Sequence, residues 1–411
     1  MSAREESSRT SRGDAHGRIA DIELLRGIAI LFTLAEHVKF NIVTWPNAFL
    51  DGVLRYFHFA SGVDLFLAIS GFVIARNLVP VLQSCETRLD CARATLAFWV
   101  RRVWRLTPSA WLWLALILAA SAWFNRSGAF WSFETNFEAT IAGMLNVANL
   151  RLIAIFPTIP YGASSSYWSL SLEEQFYLLF PLLILASGRR LPLVLGVFVL
   201  AQLFLVRSVT LMFIRTDALM LGALIALWSR SAFYRLFEPR FLEANRGLRV
   251  GVLGLLLLFL AALDVPGNTI VWFPVGLIAL VSAALVLIAS YDADYLMRDG
   301  VPKRVLLWFG SRSYAIYLVH MPVMFATREL WFRLGVPAVH GNGRWLVLTA
   351  FALMGIAAEL NFRLIETPFR RKGARIADAI AAGLRPTPPD RGVPAEPAPG
   401  AAERPAYQGA H

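Results

Sequence analysis

Two apolar runs, VGVLGLLLLFLAAL (250–263) and WFPVGLIALVSAALVLIAS (272–290), restrict the fold of this chain more than any other feature. Such runs mark helices that cross a bilayer, each needing about 20 mostly apolar residues. The composition agrees. Of 411 residues, 57% are hydrophobic and only 16% are charged, against about 25% charged in an ordinary soluble domain. A net charge of +11 would suggest nucleic acid in a soluble protein. Here the basic residues flank apolar runs, an arrangement that sets membrane topology and attracts anionic headgroups. The expected partner is a lipid bilayer, with no nucleic acid.

Apolar segments begin near Ile19, Gly62, Ser109, Phe137, Ser169, Leu191, Asp217, Leu248, Ile270, Ser313 and Arg344. The fourth, FEATIAGMLNVANLRLIAIF (137–156), is the weakest, since it contains Glu138, Asn146, Asn149 and Arg151. If it does not span, the basic groups in 98–105, 188–190, 229–249, 301–304 and 369–375 all fall on the N-terminal side of the membrane. The positive-inside rule then makes that side cytoplasmic. The expectation is an all-α integral membrane protein, a bundle of about ten transmembrane helices with both termini cytoplasmic. Residues 137–156 are then extracytoplasmic or re-entrant. Residues 1–18 and 373–411 read as disordered cytoplasmic tails around a transmembrane domain at 19–372. The first tail is polar with no apolar core of a leader, and the second is rich in Pro and Ala. Cys85 and Cys91 fall in a cytoplasmic loop and are expected as reduced thiols. No His accompanies them at ligand spacing, so no metal site is expected.

The first segment carries polar groups that lipid rejects. In LRGIAILFTLAEH (25–37), Arg26 and His37 are eleven positions apart. At 100° per residue the offset is about 20° beyond three full turns, so both side chains share one face, about 16 Å apart along the axis. Intramembrane ionisable groups face a protein interior or a watery path. Two on one face imply a polar path through the bundle. Glu36 lies about 100° away on this geometry and need not touch His37.

At these residues the chain resembles the membrane-bound acyltransferase family 3, the bacterial integral-membrane O-acyltransferases. Besides the Arg–His spacing, VDLFLAISGF (63–72), YWSLSLEEQFYLLFPLL (167–183), IRTDALMLGALIAL (214–227), WFGSRSYAIYLVHMPV (308–323) and NFRLIETPFR (361–370) follow in the family's order. The likeness covers about residues 18–372. It implies about ten helices and a place in the bacterial cytoplasmic membrane. It also implies transfer of an acyl group, most often acetyl, from cytoplasmic acyl-CoA to a hydroxyl of a cell-envelope or secreted carbohydrate. Acyl-CoA is then a co-substrate, and no cofactor is bound permanently.

That chemistry assigns provisional roles. Arginine offers planar, bidentate recognition of phosphate. Arg101, Arg102 and Arg105 are candidates for the coenzyme's phosphates, and simple topogenic charge is an equal reading of them. Arg26, deeper in, would guide the acyl-bearing arm. His37 is the expected general base, because an imidazole can take the hydroxyl proton at neutral pH. Glu173 or Asp64 would orient its second nitrogen. Trp168 and Tyr177 would stack on a sugar, or merely anchor at the interface. Arg215 and Asp217 would bind the acceptor, or pair with each other. Ser70 serves packing before nucleophilic chemistry, and His320 is structural or lines the acyl arm. A secondary transporter or flippase of a lipid-linked sugar would also need buried charges, but no matching halves are visible. On this topology a membrane-impermeant maleimide labels Cys85 and Cys91 only in inside-out vesicles. Labelling confined to right-side-out vesicles reverses the orientation.

Overall fold

The computed structural model describes residues 19–265, 271–336 and 341–382. It is 78% helical, with no strand among the described residues. The framework helices are α1 (Ala20–Asn41), α2 (Gly62–Gln83), α3 (Arg88–Trp123), α4 (Tyr167–Ser187), α5 (Leu191–Leu203) and α6 (Asp217–Trp228). They continue with α7 (Arg246–Leu263), α8 (Pro274–Ser290), α9 (Val301–Ser311), α10 (Ser313–Arg333), α11 (Gly343–Asn361) and α12 (Thr367–Ala382). Five continuous stretches are long and apolar enough to cross a membrane by length and composition: Gly62–Gln83, Arg88–Trp123, Tyr167–Leu203, Arg246–Leu263 and Gly343–Ala382. α6 and α8 are shorter apolar helices. α1, with Asp21, Glu23, Arg26, Glu36 and Lys39, carries too many charges to qualify on composition.

Segment 137–156 is not one helix. It is divided between Phe133–Met144 and Ala148–Ile155, with Asn146 at φ 55° between them. Asparagine tolerates this left-handed conformation better than most residues. Helices of 12 and 8 residues are each too short to cross the hydrocarbon core singly.

The basic stretch 98–105 lies within a helix rather than in the loop expected of it. Thr87 and Asp90 form a reciprocal capping box that starts α3. From there α3 runs unbroken for 36 residues, through Pro108. Its first half joins the core through Ala94, donates from Trp99 Nε1 to Tyr177 O of α4, and is covered by α12. Trp104 stacks on Phe369 at 5.9 Å between ring centroids, and the Lys372 ammonium lies 4.7 Å over the same indole. A Cβ at Gly373 would lie 2.2 Å from Trp104 Cβ. Residues 373–382, assigned to the tail on composition, thus continue as helix and pack through buried Gly373 and Ala377. The other tail residues, 1–18 and 383–411, lie outside the described residues. Cys85 and Cys91 are both free. Partial burial, with the Cys91 thiol and Asp90 beside it, pushes the Cys85 thiol up to about 11, making it a slow nucleophile at neutral pH.

α2 and α10 form the centre. Each buries residues around its whole circumference, the signature of a helix enclosed by protein. Large apolar side chains on the outer helices stay exposed, including Leu178 and Leu182 on α4, Leu193 on α5 and Leu255 on α7, as a lipid-facing surface requires. Small residues set the close approach of α2 to α6. A Cβ on Gly71 would lie 1.9 Å from Leu219 O, and one on Gly222 would lie 2.0 Å from Ala68 O. Backbone-to-backbone contact of this kind is how helices associate in lipid, where there is no hydrophobic drive between them. Replacing Gly71 by Val should therefore separate α2 from α6, and the variant should be lost from the folded membrane fraction in fluorescence-detected gel filtration. A wild-type elution profile would show that the helices can shift apart without loss.

Candidate active site

His37 lies in the last turns of α1. Its Nδ1 is 2.8 Å from the carbonyl oxygen of Thr33. A carbonyl only accepts, so Nδ1 carries the hydrogen and Nε2 of the neutral ring keeps its lone pair. The tautomer that a general base requires is thus set by α1 itself. The imidazole packs edge-to-face on His320 of α10, with 5.0 Å between ring centroids. Arg26 also faces α10, since it shares a cavity wall with Ser313 and Tyr314.

The two carboxylates expected beside His37 are engaged elsewhere. Asp64 makes a fork-to-fork ion pair with Arg215, at 2.7 and 2.8 Å, and the two side chains are 3% and 2% exposed. Glu173 accepts hydrogen bonds from the hydroxyls of Ser70 and Tyr177. The orienting role belongs to Thr33 O instead. This backbone acceptor lies four residues back on the same helix. Asp217 pairs with Arg207 at 2.5 Å rather than with Arg215. Glu36, on another face of α1, accepts from the Phe59 amide at 2.8 Å and from His58 Nδ1 at 3.3 Å. It pins the segment leading into α2 and makes no hydrogen bond to His37.

Three adjoining cavities occupy the opposite, arginine-rich half. The two outer ones measure about 610 and 340 Å³, and the inner one about 80 Å³. Arg105 borders all three, Arg26 and Arg102 two each. Arg101 borders the largest and pairs with Asp378 of α12 at 2.5 Å. Arg26 is held 3.2 Å from Glu23. Arg102 lies over the Tyr177 ring at 4.8 Å. Neither Arg102 nor Arg105 makes a salt bridge among the described residues. Two guanidinium groups in a concave wall without a paired carboxylate suit a polyanion.

The inner cavity ends on Ser70, Glu173, Tyr177, Ser169 and Tyr317. Tyr177, expected at the acceptor, is thus a wall of this cavity. Trp168 is separate, packed on Phe213 at 5.0 Å and beneath the Arg215 guanidinium at 5.1 Å. His37 borders none of the three cavities. Tyr317 and His320 stand between. The Tyr317 ring is 5.4 Å from that of His320, and its hydroxyl is 2.5 Å from Ser169 Oγ. Arg26 and His37 share a helix face but not one open passage. Phase along a helix does not tell which partner ring fills the space between two turns.

Sequence reasoning missed Arg76 and Arg370 in the outer cavities, and Arg207 as the partner of Asp217. Arg76 and Arg207 are isolated basic residues and Arg370 belongs to the basic run 369–375, and only helix packing brings them to the site. For His320 the signal was present, in a histidine within an otherwise apolar helix.

The described residues thus form an all-helical bundle with arginine-lined cavities and a buried histidine pair beyond them. The chain belongs to the acyltransferase-domain family, whose profile matches residues 19–360. It is 27% identical over 395 residues to the putative peptidoglycan O-acetyltransferase YrhL of Bacillus subtilis, covering 88% of this chain and 56% of that protein. The peptidoglycan O-acetyltransferase OatA of Listeria monocytogenes is 26% identical over 385 residues, 86% of this chain and 56% of its own length. The O-acetyltransferase OatA of Staphylococcus aureus is 26% identical over 335 residues, 76% of this chain and 53% of its own. The chain thus spans about half the length of these relatives. No solved structure matches it.

The Asp64–Arg215 pair gives a direct test of this half of the site. Removing one partner of a buried pair leaves an uncompensated charge and costs about 3–5 kcal/mol. Arg215→Ala should therefore lower the thermal midpoint of the detergent-solubilised protein sharply. The double variant Asp64→Leu, Arg215→Met should recover most of that loss, since an apolar pair is often neutral by comparison.

Proposed function

We propose that this protein transfers an acyl group, acetyl by preference, from cytoplasmic acyl-CoA to a hydroxyl of a cell-envelope carbohydrate, in a ten-span arrangement of the bacterial cytoplasmic membrane. The observation that carries the reading is the funnel. Wide cavities converge on Arg105 and narrow to a small chamber one layer of side chains from His37. A coenzyme thioester has this shape, a polyanionic head on a thin arm. The names of the relatives favour peptidoglycan as the carbohydrate and acetyl as the group.

In this reading Arg101, Arg102, Arg105, Arg76 and Arg370 surround the phosphates, and Arg26 flanks the arm. His37 Nε2 takes the proton from the acceptor hydroxyl as its oxygen attacks the thioester carbon. Acid–base help of this kind contributes about 10²–10⁴-fold, so alignment of the two substrates supplies the remainder. The Asp64–Arg215 pair and the stacked Trp168 shape the acceptor side, together with the Arg207–Asp217 pair. Asp64 therefore acts on the architecture rather than on the proton. Glu173, with Ser70 and Tyr177, forms the polar end of the donor chamber. The thioester must pass Tyr317 to meet the base, so a shift of that ring belongs to the catalytic cycle.

The test uses membrane vesicles holding the full chain, labelled acetyl-CoA and peptidoglycan glycan strands. Base-labile label should reach the glycan. His37→Ala should lower the rate by at least about 100-fold at unchanged protein level. Arg105→Ala should raise KM for acetyl-CoA with little change in kcat, as loss of uniform donor binding does. Transfer at the wild-type rate by His37→Ala removes the base. Donor-independent accumulation of lipid-linked sugar in the vesicles marks a transporter instead.

A further inference from the structure

His320 is fully buried at the middle of α10. Its Nδ1 lies 2.6 Å from the carbonyl oxygen of Tyr317. That nitrogen therefore donates, and Nε2 holds a bare lone pair. Nε2 has no hydrogen-bond partner. Buried polar atoms are nearly always paired, and an orphan in a native core points to a role that pairing would block. A ring kept only for its shape would carry this desolvated nitrogen with nothing to offset it, and an aromatic hydrocarbon would fill the space better.

The ring faces His37, with 5.0 Å between centroids and planes inclined by 69°. His37 has the same tautomer, because its Nδ1–H is committed to Thr33 O. Two imidazoles thus meet with both Nδ1–H groups tied to backbone and both Nε2 lone pairs available. An imidazolium at His37 would face a neutral, electron-rich ring. A histidine base ordinarily relies on a carboxylate to stabilise the imidazolium it becomes. Among the described residues no carboxylate hydrogen-bonds either ring. Glu36 serves Phe59 and His58, Asp64 serves Arg215, and Glu173 serves Ser70 and Tyr177.

We propose that His320 is the positioning partner of His37 and stabilises the imidazolium that His37 becomes. The inference rests on His37 as the base. As the acceptor oxygen bonds to the acyl carbon, its proton moves to His37 Nε2, and the neutral His320 ring packed edge-to-face on it stabilises the charge. That ring contact takes the place of the hydrogen-bonded carboxylate a histidine base ordinarily has. When the C–S bond breaks, the same proton goes to the coenzyme sulfur, and His37 returns to neutral. His320 gains and loses nothing overall.

Three variants of the full chain, assayed in vesicles with labelled acetyl-CoA and glycan strands, test this. His320→Asn retains an N–H for Tyr317 O but has no electron-rich ring. His320→Ala leaves a cavity shaped like the lost ring, and His37→Ala controls for the base. All are compared at equal folded yield by fluorescence-detected gel filtration. The expected result is a fall in kcat on the order of 10²-fold for His320→Asn, with KM for acetyl-CoA little changed. Added imidazole should restore kcat in His320→Ala and leave His320→Asn inactive. Near-wild-type kcat in His320→Asn, or no rescue of His320→Ala, overturns the proposal. If His37→Ala is inactive while His320→Asn is active, only the present inference fails. If His37→Ala is active, the reading of the base fails first.

Discussion

A hydrocarbon environment cannot solvate charge, and the rest of this structure is arranged around that limit. Each unpaired Arg or Asp at mid-membrane depth costs about 2.5–3.5 kcal/mol on insertion scales, so the bundle turns its ionisable groups inward and pairs them. Asp64 with Arg215 and Asp217 with Arg207 are nearly or fully withdrawn from solvent. Glu329 is fully buried and is satisfied by the amides of Arg126 and Ser127 and by Arg333. Glu36 likewise spends its oxygens on Phe59 and His58. These groups tie loops and helices together. Arg102 and Arg105, without a salt bridge among the described residues, and His320, with a vacant nitrogen, are among the departures from the rule, and the proposed reaction uses them.

Such pairing requires helices to approach closely, and small residues permit it. Gly71 and Gly222 let the backbones of α2 and α6 touch, and this same pair of helices supplies Asp64 and the start of the segment carrying Arg215. The tight interface and the buried ion pair therefore reinforce each other. Packing fixes the distance over which the guanidinium must reach, and the ion pair fixes the register of the packing. α2 contributes Ser70 to the inner cavity from the same stretch, so the geometry of that cavity inherits the rigidity of the interface.

The polar interior has two compartments. One end is basic, wide and open to a polyanion. The other holds the imidazole pair and the enclosed ion pairs. Between them lie Ser169, Tyr317 and His320, joined by a short hydroxyl contact and by ring contacts. In the proposed reaction this layer separates a water-soluble donor from a carbohydrate acceptor. It would keep the thioester from hydrolysis until the acceptor is present, with Tyr317 held in place by its hydroxyl bonds to Ser169 Oγ and Ser166 O.

The residue pattern alone determined that the chain is helical and apolar enough for a bilayer, that 137–156 would not form one span, and that Arg26 and His37 share a face. These follow from local rules: run length, and 100° per residue. The family was legible for a related reason, since six motifs keep their order whatever the helices do in space. The same rules misplaced Arg101, Arg102 and Arg105 in a loop, because a capping box and the cover of α12 extend α3 past the apolar run. Only the tertiary structure decided which charge meets which. Asp64 meets Arg215 across 151 positions, and Glu173 meets Ser70 across 103. His37 meets His320 rather than a carboxylate. Contacts between distant segments depend on helix–helix packing, set by small residues and side-chain shape summed over several neighbours, and no periodicity along one segment encodes them.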